Sequence, residues 1–402
     1  MILFYFLVWI MPLSEHHIWG SSVGDLTVFK YVGAACAVYA LIHLAANGLV
    51  PAYFRTWQAR LFVVFYLIAT VSYFTMGLKG TLELSPFLSY SSFLLLLLIT
   101  VTVVDSVNRL RWVMLVAIGS VAFASLYLIR EWQQYHNVYA DFRPGWVVGD
   151  SNYFTISALL TVPAAFYLML GAKRFWERCF CACSLVVTLL AVTFGASRGG
   201  FLGLATAFLF LVWHSRERLR NLVLAGALVL PLSFILPVSP VNRLLHPSHG
   251  DIEAEDSRTV TWRAGLQMME THPITGIGLG NFKPFVREYE PADTPVDHIA
   301  HNAYIEIGAE MGLPALFIFL GILSFSFLTL GRVRSRATLA RLPSIWQTAL
   351  GLQAGLLGSA VAIFFVSGQY QKLFWLTVFL SVCMPGIVQQ SHTLKSNARF
   401  QS

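Results

Sequence analysis

Charge is scarce in this sequence. Asp, Glu, Lys and Arg make up 12% of its 402 residues, where a soluble domain carries about 25%. Half the usual charge cannot cover a water-facing surface, so most of this surface must face something else. Polar–apolar alternation is lacking too. Neither Ser92 to Val104 (SFLLLLLITVTVV) nor Asn221 to Leu236 alternates, which excludes a transmembrane β-barrel. Five cysteines fit no disulfide framework. Cys179, Cys181 and Cys183 crowd the start of an apolar helix in a C-x-C-x-C spacing unlike a closed zinc site, so they read as packing residues on the reducing side of the membrane. There is no heptad, short repeat or low-complexity segment. Met1 to Leu13 has neither a basic n-region nor an A-x-A cleavage site and reads as a first helix, not a removable signal.

Apolar runs, by contrast, are everywhere. Hydrophobic residues are 56% of the chain, and windows able to cross about 30 Å of hydrocarbon recur along it. They fall near 2–13, 23–49, 61–76, 86–104, 112–130, 151–170, 179–195, 199–213, 221–236, 304–330, 345–366 and 373–390. The pattern predicts an all-α integral membrane protein of about twelve transmembrane helices. It forms one polytopic domain over 1–402, with one long extracytoplasmic loop, 237–301, inserted between the ninth and tenth helices.

Loop charge orients the bundle. One alternate set of connections holds Arg55 and Arg60; Arg109 and Arg111; Lys173, Arg174 and Arg178; Arg216, Arg218 and Arg220; Arg332, Arg334, Arg336 and Arg341; and the tail with Lys395 and Arg399. The other holds only Lys30, Lys79, Arg130, Arg143, Arg198 and Lys372 in its short members. The positive-inside rule puts the first set and both termini in the cytoplasm, and the long loop outside. The net charge of +7 then belongs to cytoplasmic loops and gives no reason to expect nucleic acid.

A few residues stand out against this background. Arg198 lies in Thr193-Phe194-Gly195-Ala196-Ser197-Arg198-Gly199-Gly200-Phe201, between two apolar helices with almost no connection. Arginine near hydrocarbon is expensive. Flanking glycines permit close approach of backbone or ligand, and a helix beginning here aims its N–H groups at whatever the guanidinium binds. An anion such as phosphate fits all three features; snorkelling to headgroups is the bland alternative. In the loop, Asp256-Ser257-Arg258-Thr259-Val260-Thr261-Trp262-Arg263 reads as a helix start capped by Asp256 or Ser257, with Arg258 and Trp262 on one face. His272-Pro273-Ile274-Thr275-Gly276-Ile277-Gly278-Leu279-Gly280-Asn281-Phe282 lacks the nucleotide-loop patterns and is left as a turn demanding unusual backbone angles. The loop ends in Asp297-His298-Ile299-Ala300-His301-Asn302-Ala303-Tyr304. A metal held by Asp297, His298 and His301 lacks a third strong ligand at the expected spacing; a histidine at a helix mouth is better suited as a base. Gly149-Asp150-Ser151-Asn152-Tyr153 reads as a helix cap at Asp150 or Ser151.

This set of motifs resembles the O-antigen ligase and polymerase superfamily of bacterial envelope glycosyltransferases. The resemblance runs from about Gly149 to Leu320 and rests on Gly-Asp-Ser-Asn, Ser197-Arg198-Gly199, Arg258 four residues before Trp262, the glycine string, and His301-Asn302-Ala303-Tyr304 followed by Glu310-Met311-Gly312. Many members carry proline where Ser151 stands. The resemblance implies a GT-C-like helical bundle in the bacterial inner membrane. It implies transfer of a glycan from an undecaprenyl-diphosphate carrier to a lipid A–core or growing-glycan acceptor on the periplasmic face, with no metal and no other cofactor. The family's essential arginines map onto Arg198 and Arg258, its essential histidine onto His301. Arg263, Asn302, Asn152, Tyr304 and Asn281 complete the candidate substrate-binding set. O-antigen ligation ranks ahead of polymerisation, and transfer to protein comes third. A lipid-linked glycan transporter, the rival from another class, calls for two related halves with interrupted helices, and no such internal symmetry is visible.

The topology has a direct test. A single cysteine at Ser248 or Thr294 should label with an impermeant maleimide in intact cells, and one at Ser215 or Ser335 only after permeabilisation. The reverse pattern overturns the orientation.

Overall fold

The structure, a computed structural model, describes residues 1–13, 22–23, 26–47, 56–75, 84–138, 142–145, 150–215, 249–290 and 299–400. Among them it is all-helical apart from a pair of two-residue strands, Ser22–Val23 and Leu26–Thr27. The helices are α1 Ile2–Ile10, α2 Val28–Asn47, α3 Trp57–Thr75, α4 Ser85–Val103, α5 Val107–Tyr135, α6 Ser151–Gly171, α7 Phe175–Gly195, α8 Arg198–Trp213, α9 His249–Thr271, α10 Phe282–Tyr289, α11 Ala303–Leu339, α12 Pro343–Ala362 and α13 Lys372–Phe400. Eight are long and apolar enough to cross a membrane, and α1 and α8 are shorter apolar helices. Eleven of the twelve apolar windows coincide with helices; the window 221–236 lies outside the described residues. The chain is an integral membrane helical bundle.

One expectation needs correcting. Asp256 and Ser257 do not cap α9, which begins at His249. The run Ile252-Glu253-Ala254-Glu255 is rich in strong helix formers and carries the helix past the expected start.

Two kinds of packing hold the bundle. Aromatic rings fill the space between α3, α4, α11 and α13: Phe62 meets Trp375 at 4.8 Å and Phe379 at 5.0 Å, and Phe319 meets Phe65 and Trp375 at 6.0 Å each. Glycines bring α12 against α6 and α8. A Cβ on Gly358 would lie 2.6 Å from the Gly203 carbonyl oxygen, and one on Gly355 2.9 Å from that of Leu159. Backbones this close need residues without side chains. At the end of the bundle that loop charge assigns to the cytoplasm, Arg111 pairs with Glu177 at 2.6 Å. Arg334 donates to Gln353 at 2.6 Å and lies over the Phe210 and Trp346 rings.

At the opposite end α11 is broken. Gly312 has φ 81° and ψ 170°, and Pro314 follows. Proline has no N–H, so the Glu310 carbonyl loses its helical donor; it accepts instead from Gly278 N at 3.0 Å and Ser72 Oγ at 2.8 Å. Leu313 N turns to Pro273 O, and Ile277 N takes the carbonyl of Ala309. The glycine string is thus a loop docked into the break. Its predicted unusual angles are present at Gly276, Gly278 and Gly280, with φ of 65°, 107° and 85°. A Cβ on Gly276 would lie 2.3 Å from Glu310 backbone atoms.

Gly358→Val should drive α12 off α8. The expected loss is about 1–3 kcal/mol by overpacking, seen as a lower thermal midpoint in detergent. Gly386→Ala, where nothing lies within 4 Å, should show no loss.

Candidate active site

The helix ends assigned to the outside gather the candidate residues. Ser197 caps α8: its hydroxyl accepts from Gly200 N at 3.2 Å and donates to Asn152 Oδ1 at 2.7 Å. Arg198, half-buried, is the first residue of that helix. The turn before it is tight because Ala196 takes the left-handed conformation (φ 47°). Asp150 caps α6 as expected, accepting from Asn152 N. Arg143, which precedes α6, joins these ends. Its Nε donates to Gly195 O at 3.1 Å, and its Nη2 to Ser151 Oγ at 2.7 Å and Asn152 Oδ1 at 3.1 Å. Burial pulls the Arg143 pKa down from its ordinary value, Asp150 pushes it up, and the charges of Arg258 and Arg198 lower it further. Guanidiniums from two other parts of the sequence, Arg198 and Arg258, therefore both act on Arg143.

The glycines beside Arg198 serve packing. A Cβ on Gly199 would sit 2.5 Å from the Phe365 Cβ, and one on Gly200 2.1 Å from the Thr155 Cγ2. They let α8 approach α6 and the segment that follows α12.

That segment, Ile363 to Ser367, also holds the histidine side. Ile363 O accepts from Ala303 N at 2.9 Å. The Phe364 ring meets Trp262 at 5.3 Å and Tyr304 at 6.3 Å, and Ser367 Oγ donates to Glu306 Oε2. Trp262 Nε1 donates to Ala300 O at 2.7 Å, fixing the backbone beside His301. Arg258 lies one helical turn from Trp262, about 6 Å along α9, so the indole ties Arg258 and His301 to one frame. His301 itself is half-buried at φ 48°. A left-handed non-glycine residue is uncommon and is held there by its surroundings.

Just beyond His301, α11 buries two carboxylates. Glu306 is 7% and Glu310 4% exposed. Glu306 lies within electrostatic reach of His301 and meets the Gln369 side chain. Glu310 Oε1 accepts from Phe282 N at 3.1 Å, and the Tyr370 hydroxyl meets the same carboxylate. Burial and the neighbouring glutamates push the Tyr370 phenol well above its ordinary value, so this hydroxyl keeps its proton and donates. Both carboxylates line a cavity of about 280 Å³ together with Ser85, Ser89, Phe282 and Lys283.

The other sequence candidates divide. Asn302 caps α11, accepting from Tyr304 N and Ile305 N at 3.0 and 3.1 Å. Tyr304 donates its hydroxyl to Ala360 O at 2.6 Å. Asn281 donates to Ile277 O and is 1% exposed. Asn152 accepts from Ser197 and Arg143. Each of these four residues thus makes a hydrogen bond within the protein. Arg263 is exposed on α9, off the Arg258–Trp262 face. Asp297 and His298 lie outside the described residues. Three participants carried no sequence signal that separated them from background: Arg143, read as one stray outer charge; Glu306, inside an apolar helix; and the segment 363–367.

Trp262→Phe keeps the ring against Phe364 and deletes the donor to Ala300. Losing one such bond costs about 1 kcal/mol. Hydrogen exchange at the amides of 300–303 should therefore quicken about fivefold, with helix content unchanged; unaltered exchange means the indole does not hold this segment.

A family model described as O-antigen ligase matches residues 183–320. No curated protein matches the chain.

Proposed function

We propose that the chain, whose residues 183–320 match a family model described as O-antigen ligase, moves a glycan from an undecaprenyl-diphosphate carrier to an acceptor hydroxyl on the outer face of the bacterial inner membrane. O-antigen ligation to lipid A–core is the preferred reaction. The observation that supports the reading is that chain neighbours of the three candidates, Gly199, Trp262 and Ala303, all meet the 363–367 segment. In the step proposed, His301 takes the proton of the acceptor hydroxyl as its oxygen bonds to the anomeric carbon. The bond from that carbon to the diphosphate breaks, and the electron pair leaves with the carrier. Arg198 and Arg258 offset the charge that develops there, since a guanidinium fork matches phosphate oxygens.

The cavity at Glu306 and Glu310 suits the acceptor. Their carboxyl groups can exchange hydrogen bonds with sugar hydroxyls, and Glu306 lies within electrostatic reach of His301, so an acceptor held here would lie beside the base. The reading treats 1–402 as one polytopic membrane domain, the loop 237–301 as periplasmic and both termini as cytoplasmic. It assigns no role to metal or nucleotide, and activity should persist in chelator.

His301→Ala should lower turnover about 10²- to 10⁴-fold while leaving donor affinity nearly intact. Arg198→Ala and Arg258→Ala should weaken donor affinity, and the lysine variants should recover only part of it. Lost donor binding in His301→Ala, with the remaining chemistry unimpaired, would make the histidine a phosphate ligand. Deleting the gene should leave full-length carrier-linked polymer; single repeat units would mean a polymerase.

A further inference from the structure

We propose that Arg143 is a positioning residue for the donor diphosphate, acting through Asn152 and Ser197 on the start of α8 and hence on Arg198. The proposal rests on the diphosphate-donor reading above and adds a residue outside the matched segment 183–320.

The route is continuous. Arg143 Nη2 donates to Asn152 Oδ1, the same oxygen accepts from Ser197 Oγ at 2.7 Å, and Ser197 Oγ accepts from Gly200 N. A second branch runs from Arg143 Nε to Gly195 O at the end of α7, so the guanidinium grips both sides of the turn that presents Arg198. Ser151 Oγ takes a further bond, 2.7 Å long. Three interactions made by one planar, rigid group fix a geometry that a flexible ammonium cannot copy.

A neutral brace could tie these helix ends as well. What separates Arg143 from a brace is its charge, placed where Arg198 and Arg258 already repel it. Helix ends assembled only for stability have no reason to gather like charges. A site that must receive an anion does, because the repulsion is relieved when the anion arrives. The Asp150 carboxylate, which also acts on Arg143, is engaged by Asn152 N in capping α6.

The test uses the full chain in lipid nanodiscs. It measures KM for carrier-linked glycan, KM for acceptor, turnover, and inhibition by inorganic pyrophosphate. The variants are Arg143→Lys, Arg143→Met, Ser197→Gly and the Arg143→Met/Ser197→Gly double. Glycine keeps most of the cap while deleting the hydroxyl, so Ser197→Gly reads the route even if Arg143→Met fails to fold. Each single variant should raise donor KM and weaken pyrophosphate inhibition on the order of tenfold, leaving acceptor KM unchanged. Arg143→Lys should recover only part. The double should be no worse than the worse single, because both changes cut one route. A lower thermal midpoint with donor KM and pyrophosphate inhibition unchanged makes Arg143 a brace and overturns the proposal, as does a double equal to the product of the singles. If pyrophosphate does not inhibit the wild type and Arg198→Ala leaves donor KM unchanged, the diphosphate reading itself fails and takes this proposal with it. A wild type that responds while the Arg143 and Ser197 variants match it sinks this proposal alone.

Discussion

A helix inside a bilayer must satisfy its own peptide groups, and α11 stops doing so at Gly312. Pro314 supplies no N–H for the Glu310 carbonyl, and the chain answers by bringing in the 273–280 loop, whose amides and carbonyl close the gap together with Ser72. Much at this end of the bundle follows from that repair. The loop leads into α10, whose first amide, Phe282 N, holds the Glu310 carboxylate. Leu279 N bonds Ser72 Oγ on α3 at 3.1 Å. Together with the start of α4, these elements enclose the cavity. The three glycines of the loop all take positive φ, and at Gly276 a Cβ would also lie 2.3 Å from Glu310 backbone atoms.

A second constraint is the glycine seam along α12. It sets α6 and α8 side by side, and side-by-side helices can share a hydrogen-bonded rim at their ends. Asn152 at the start of α6 reaches Ser197 at the start of α8 only because Gly200 lets α8 lie against Thr155. Dense packing in the bundle is thus converted into geometry at the rim. The segment after α12 then finishes the rim by touching α8 at Gly199, α9 at Trp262 and α11 at Ala303 and Glu306.

Electrostatics divides this rim. Arg198 and Arg258 both act on Arg143, while Glu306 and Glu310 are buried in α11. Tyr153 lies within electrostatic reach of both Asp150 and Glu306, between the two regions. Such separation suits the proposed transfer, in which one substrate carries a diphosphate and the other presents hydroxyls.

The sequence by itself determined the membrane class and eleven helices at their windows. Apolar run length is a local quantity, and the bilayer enforces it. It also marked the capping role of Asp150 and the strained glycine string, because caps and left-handed residues have short-range signatures. Only the tertiary structure decided that Asn302, Tyr304 and Asn281 use their polar groups within the protein, that Gly199 and Gly200 serve helix contact, and that α9 starts before Asp256. Arg143, Glu306 and the 363–367 segment became legible only there too. Their importance lies in which groups from other elements come to meet them, and no pattern of spacing along one chain encodes a contact made between separate helices.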